Sequence, residues 1–232
     1  MTNTEVEKLA GSPSKSPECE QLTFLDEKPD LFGYDSAVRA EFGTVCGIDE
    51  AGRGPLAGDV FAAAVIFNEG TVIEGLNDSK KLSEKKREQL FDEICAKARA
   101  FCIARASVQE IEELNILQAD FRAMERAYNG LEVTAGIVLV DGNQLPAINS
   151  RMRYVIKGDA TSASIAAASI LAKVSRDRYM KQMAETYPQY GFEKHKGYGT
   201  KAHYNAVEKY GLCEIHRKSF FKKYFDKKAA HE

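Results

Sequence analysis

The stretch Gly47 to Gly58, GIDEAGRGPLAG, decides the fold. An apolar lead-in of Thr44, Val45 and Cys46 runs into two adjacent carboxylates, Asp49 and Glu50, and then into a glycine-rich bend. A strand that buries apolar side chains and ends in acids places those acids at the C-terminal rim of an α/β sheet, where ligands bind. Gly52 and Gly54 flank Arg53; glycine lets the backbone turn sharply and approach a ligand closely, and arginine offers a planar fork that suits phosphate. Acid, bend and cation together point to a metal and a polyanion. A buried strand followed by an exposed acidic turn would have the same residues, so the rest of the chain must choose.

Downstream, Asp59 to Phe67 (DVFAAAVIF) reads as a buried second strand, and Asn68-Glu69-Gly70 as a turn. Asn77 to Lys86 combines turn formers with four lysines and enters a helix capped by Ser83 and continuing through QLFDEICAKARA. Phe101 to Val108 is expected as a third strand. Ile116 to Leu131 has helical periodicity through Leu117, Phe121, Met124 and Tyr128. Gly136 to Gly142 (GIVLVDG) repeats the opening logic, a continuous apolar run ending in Asp141. Tyr154 to Asp159 (YVIKGD) ends in another acid, just before an alanine-rich helix predicted from Ala160 to Tyr187, whose small residues favour close packing on a sheet. A short helix follows to Tyr210, then an aromatic, basic end. Alternating strands and helices make this an α/β chain with no internal repeat.

At 232 residues the chain suits one α/β domain plus tails. The boundaries expected are a flexible or partly ordered N-terminal extension over 1–40, a catalytic domain over 41–221 and a basic tail over 222–232. Net charge is −2, but residues 1–50 hold eleven acids against four bases, while residues 194–228 hold ten bases against three acids. A basic C-terminal third can meet phosphate. The five cysteines contain no C-x-x-C pair and read as reduced packing residues; the four histidines show no close pairing with cysteine, which argues against zinc. With no export signal and no apolar run of membrane-spanning length, a cytoplasmic protein is expected.

Four carboxylates, Asp49, Glu50, Asp141 and Asp159, each fall at the end of a predicted element rather than on a solvated helix face. Clustered carboxylates repel unless a cation lies between them, and an all-oxygen set suits Mg²⁺ or Mn²⁺. Two such ions can hold the attacking water and leaving oxygen of a phosphodiester in line, so phosphodiester hydrolysis fits. Asp159 could instead simply cap the helix it precedes.

These residues also carry a resemblance. From about Gly43 to Phe221 the chain resembles bacterial ribonuclease HII, through DEAGRGPLAG, DSKKLS, VDG, GDA, HKGYGT and HRKSF in that order. The resemblance implies an RNase H-like fold, a central mixed sheet flanked by helices with a C-terminal helical segment. It implies an endonuclease that cuts the RNA strand of RNA–DNA hybrids, or 5′ of a ribonucleotide embedded in duplex DNA, leaving 5′-phosphate and 3′-hydroxyl ends, with a role in ribonucleotide excision repair. Asp49, Glu50, Asp141 and Asp159 would bind the metal and carry catalysis, with two ions when substrate is bound. Gly52, Arg53, Gly54 and Tyr198 would read the ribose at the RNA-to-DNA junction; a 2′-hydroxyl both donates and accepts, so freed backbone groups and a tyrosine can tell it from deoxyribose. Asn77, Ser79, Lys80, Lys81, Thr161 and Ser162 would contact phosphates. Gln21-Leu22-Thr23-Phe24-Leu25 loosely resembles the peptides by which bacterial enzymes dock on the replication sliding clamp, against the alternative of an apolar contact with the domain's own surface.

Other readings are a ribonuclease HIII-like enzyme, a hybrid-binding module without catalysis, and a metal-dependent phosphatase. The short acidic preamble and Arg53 argue against the first. A polyanion binder would gain affinity by losing the four acids. A phosphatase would not need the basic C-terminal third. Nothing in the sequence demands an oligomer, and a monomer is expected.

Overall fold

The computed structural model describes residues 30–77 and 79–229. The chain runs α1 (Leu31–Phe42), β1 (Val45–Ala51), β2 (Val60–Phe67), α2 (Glu84–Lys97), β3 (Ala98–Ala106), α3 (Val108–Leu114), α4 (Ile116–Asn129), β4 (Ile137–Asp141), β5 (Met152–Val155), α5 (Ala163–Thr186), α6 (Phe192–His195), α7 (Lys201–Tyr210) and α8 (Lys218–Ala229). The five strands form one mixed sheet in the order β3-β2-β1-β4-β5, with β1 at its centre. Strand β1 pairs antiparallel with β2 and parallel with β4, and β4 pairs parallel with β5.

Because side chains alternate across a strand, β1 splits its residues between two layers. Cys46 and Ile48 join Ala119, Ala123 and Met124 of α4 in one apolar cluster. Val45 packs with Ile165, and Ala51 with the alanines of α5, on the other face. Both faces are covered, so β1 and β2 are buried over nearly their whole length.

Helix α5 approaches β1 so closely that a Cβ on Gly47 would lie 2.2 Å from the Ser164 carbonyl carbon and 2.3 Å from the Ile165 amide. Glycine on the strand and alanine or serine on the helix are therefore one packing solution. The N-terminal helix α1 crosses the expected boundary at residue 41. Its Asp35 is buried and accepts hydrogen bonds from the Ser162 hydroxyl (2.6 Å), the Ser164 amide (2.8 Å) and the Ser164 hydroxyl (2.6 Å), tying α1 to the first turn of α5.

Several boundaries differ from expectation. Helix α2 stops at Lys97 because Ala98 to Ala100 pair with Phe67 and Ile66; strand pairing overrides alanine's helical preference. Strand β5 covers Met152–Val155, so Asp159 lies in a separate 3₁₀ turn, Gly158–Ala160. The following helix starts at Ala163, capped by the Ser162 hydroxyl and not by Asp159. Helix α3 was not anticipated, although its Ser107–Glu110 capping box is legible as S-x-x-E. None of the described helices is long and apolar enough to cross a membrane. Asp78 and the Gln21–Leu25 segment lie outside the described residues.

Gly47→Ala is expected to destabilise the fold by about 2–4 kcal/mol, since backbone atoms of α5 would have to move. A urea denaturation midpoint unchanged from the parent would show that the β1–α5 contact is looser than described.

Candidate active site

The parallel register of β1 on β4 pairs Ile48 with Val140, so the next residue of each strand, Asp49 and Asp141, emerges at the same edge. Alternation then divides the two neighbouring acids. Asp49 is on the α5 side, where it receives a hydrogen bond from Ser169, and Glu50 is on the α4 side. Asp49, Glu50 and Asp141 line one cleft with Gly52, Arg53, Gly54, Ser79, Lys80 and Tyr198; Ser169, Lys173 and Arg176 complete it.

Three of the four predicted carboxylates accept a hydrogen bond from the protein. The Glu50 amide donates to Asp49 Oδ1 (2.7 Å), the Gly158 amide to Asp141 Oδ1 (2.6 Å), and Lys80 Nζ to Asp159 Oδ2 (3.3 Å). The Gly158 bond hooks the turn bearing Asp159 onto the end of β4. Burial raises the Asp49 carboxyl well above the usual range, and the Glu50 and Asp141 charges raise it further. Burial also raises Glu50, against the pull of Arg53. Among the described residues no three acidic, histidine or cysteine side chains close into a ready shell. The donor set nevertheless fits a hard divalent cation: three oxygen ligands on adjoining strand ends repel one another, and a cation between them would relieve that repulsion.

The bend after β1 is built from beneath by two buried arginines. Arg217 donates from Nη2 to the carbonyl oxygens of Gly52 (2.7 Å) and Gly58 (2.6 Å), from Nη1 to Arg53 (3.1 Å) and Pro55 (2.9 Å), and from Nε to Gly58 (2.9 Å). Arg176 donates to the carbonyls of Ala57 (3.1 Å), Asp59 (3.2 Å) and Lys196 (3.1 Å). Gly52 has φ +111°, and a Cβ there would meet Arg176 Nε at 2.3 Å, so no other residue fits. Burial pushes the Arg217 guanidinium down to about 9, still cationic at neutral pH.

Tyr198 is half-exposed beside Gly54, with the Arg176 guanidinium 5.9 Å from its ring centre. Its loop is locked to the bend by the Leu56 amide donating to the Gly197 carbonyl (2.8 Å). Beneath it runs a chain of neutral imidazoles. The Cys213 amide donates to His216 Nδ1 (2.8 Å), the two Nε2 atoms of His216 and His203 lie 3.0 Å apart, and His203 Nδ1 is 3.0 Å from the Tyr198 carbonyl. These partners assign His216 Nε2–H as donor to His203, and His203 Nδ1–H as donor to Tyr198.

Of the other predicted contacts, Ser79 is buried with its hydroxyl 2.8 Å from that of Ser169, and Lys80 reaches Asp159. Asn77 and Lys81 are exposed outside the cleft lining. Thr161 donates to the Lys157 carbonyl (3.0 Å) and Ser162 is buried against Asp35, so neither hydroxyl lines the cleft. Sequence reasoning missed Ser169, Arg176, Arg217 and Asp120. Asp120, on α4, is fully buried behind the cleft, with Oδ2 3.5 Å from Arg53 Nε, and burial together with the Glu50 charge pushes it up to about 8 against the pull of Arg53. A carboxylate inside the alanine-rich buried stripe of α4 was the available signal.

A family model described as Ribonuclease HII matches residues 46–225. A ribonuclease HII of Albidiferax ferrireducens is 60% identical over 178 residues, 77% of this chain and 86% of that protein. The ribonuclease H2 from Pyrococcus horikoshii OT3 superposes with a TM-score of 0.65 at 25% identity, covering 76% of this chain and 93% of that one. A chain in the structure of the PCNA:RNase HII complex from Archaeoglobus fulgidus gives a TM-score of 0.60, also at 25% identity, over 75% and 93% of the two chains.

Burial first, joined by His195 at His203 and by His203 and His195 at His216, lowers both rings to about 4. The stability these rings contribute is complete above their unfolded-state value near 6.5 and is lost as pH falls toward about 4. Their ring-proton NMR shifts should stay those of neutral imidazole down to about pH 5. Titration of either ring near pH 6.5 would contradict the hydrogen-bond chain.

Proposed function

The chain belongs to the ribonuclease HII family, a divalent-metal-dependent group of ribonuclease H endonucleases, and on that premise we propose that Asp49, Glu50, Asp141 and Asp159 are its metal-binding and catalytic carboxylates. The convergence of Asp49, Glu50 and Asp141 on one cleft, beside a bend carrying Arg53 and Tyr198, carries this reading. As a type HII ribonuclease H, the enzyme acts on the RNA strand of RNA–DNA hybrids. The finer part of the reading is cleavage 5′ of single ribonucleotides in duplex DNA, as part of ribonucleotide excision repair.

In this reading the four carboxylates hold Mg²⁺ or Mn²⁺, two ions with substrate bound. When bound, the metal supplies charge neutralisation at the phosphodiester and lowers the pKa of water. The chain's own residues do the selecting and placing. The backbone comes close to the ribose at Gly54, where no Cβ intervenes, while Gly52 leaves room for Arg176 beneath the bend, and Tyr198 stands beside Gly54 to distinguish a 2′-hydroxyl from hydrogen. Arg53, Lys80 and Lys173 line the same cleft and supply positive charge to the scissile backbone. Lys80, held by Asp159, balances that carboxylate and would have to shift for Asp159 to join a cation. Asn77, Lys81 and Thr161 contact phosphate outside the cleft in this reading, and Ser79 and Ser162 hold the backbone that contacts phosphate.

The catalytic domain of this reading extends beyond the expected 41–221 at both ends, since α1 ties itself to α5 through Asp35 and α8 runs across residue 221 with Tyr224 packed on the C-terminal core. A cytoplasmic monomer completes it. The Archaeoglobus complex concerns a ribonuclease HII bound to PCNA, and it supports keeping Gln21–Leu25 as a sliding-clamp contact. Deleting residues 1–29 should then abolish clamp retention in a pull-down with purified clamp; full retention would remove that contact.

The deciding experiment is cleavage of a DNA duplex carrying one ribonucleotide, with Mg²⁺, Mn²⁺ or chelator, beside an all-DNA control. The parent should cut 5′ of the ribonucleotide only with metal. Asp49→Asn should lose at least about a thousandfold in kcat while keeping its melting temperature. Persistent cutting by that folded variant would displace Asp49 from the site.

A further inference from the structure

Among the described residues, Asp120 alone buries side-chain oxygens, both of them, without a hydrogen bond. It sits on α4 beside Ala119, Ala123 and Met124, all in the core, where an apolar side chain would avoid the desolvation cost. The carboxylate instead faces a cation. Arg53 Nε lies 3.5 Å from Asp120 Oδ2, and Arg53 Nη1 lies 4.0 Å from Glu50 Oε1. The guanidinium is half-exposed and lines the catalytic cleft. One acid below and one beside it thus face two of its three nitrogens.

Resting on the reading of Arg53 as a substrate contact, we infer that Asp120 is a positioning residue, which anchors the Arg53 guanidinium from inside the protein so that it presents one fixed edge to the phosphodiester at the ribose. A flexible arginine would have to be ordered at each binding event; a buried acid on α4, with Oδ2 3.5 Å from Nε, does this in advance. The position therefore trades folding stability for preorganisation. Removing the carboxylate leaves Arg53 free to hydrate, since half of it already meets solvent, so no buried cation is stranded.

The test compares the parent, Arg53→Ala, Asp120→Asn and the double variant on the duplex with one ribonucleotide, with a melting temperature for each. Asp120→Asn should melt at or above the parent temperature, yet lose about tenfold in kcat/KM, mostly through KM. In the Arg53→Ala background the same substitution should cost nothing further, because its only route to the substrate is gone. Parental kcat/KM in Asp120→Asn, a loss matched by a lower melting temperature, or losses that multiply in the double variant would each overturn the positioning role. Should Arg53→Ala alone cut like the parent, the reading of Arg53 fails, and the role of Asp120 with it. An impaired Arg53→Ala beside a parental Asp120→Asn removes only the inference.

Discussion

The guanidinium of Arg217 is the interaction on which the site rests. Fully withdrawn from water, it gives its N–H groups to carbonyls of Gly52, Arg53, Pro55 and Gly58, and its own amide donates to the Leu56 carbonyl at 2.8 Å. A buried cation is tolerable only when its donors are spent, and here the partners are one bend of backbone. The bond set works in both directions: the loop satisfies the charge, and the charge dictates the loop. Carbonyl oxygens that would repel a phosphodiester are drawn to the interior. Arg176 repeats the device one layer away and adds the Lys196 carbonyl, so that bend and tyrosine loop share a foundation.

On that foundation the two-fold alternation of β1 distributes the chemistry. Adjacent residues Asp49 and Glu50 cannot share a face of the sheet, so one carboxylate answers to α5 and the other to α4. Each helix then supplies what its side needs: α5 gives Ser169 to Asp49 and a backbone close enough to require Gly47, while α4 gives Asp120 to the Glu50–Arg53 pair. Parallel pairing with β4 brings in Asp141, and the Gly158 amide carries the Asp159 turn to the same edge. Asp49, Glu50 and Asp141 reach one cleft because strand register leaves them nowhere else to go, and one hydrogen bond ties the turn that bears Asp159 to the end of β4.

The strands that carry acids were legible in the sequence because each is a continuous apolar run ending in a carboxylate, a pattern that local chemistry alone produces. The alternation of elements and the α/β class followed from the same periodicity. Boundaries at Lys97 and Ala98 were not, since a run of alanine and arginine suits helix or strand and only the β2 partner decides. Helix α1 escaped because its key contact, Asp35 to Ser162 and Ser164, spans 127 and 129 positions. Arg217 sat in a quoted motif, HRKSF, yet nothing local says that its side chain points inward. Asp120 was hidden for the opposite reason: the stripe read from Leu117, Phe121, Met124 and Tyr128 differs from the one buried, Ala119, Asp120, Ala123, Met124 and Ala127, and a one-residue rotation of the helix changes which acid lies inside.

The bond from Arg217 to the Gly52 carbonyl spans 165 positions. During synthesis the N-terminal strands leave the ribosome long before the residue that shapes their bend, because a chain is made at about 5–20 residues per second and folds from its first end. The sheet and its carboxylates can therefore assemble while the bend after β1 is still unset. A nascent chain stalled before His216 would carry the carboxylates of β1 and β4 without the guanidinium that draws the carbonyls of that bend inward.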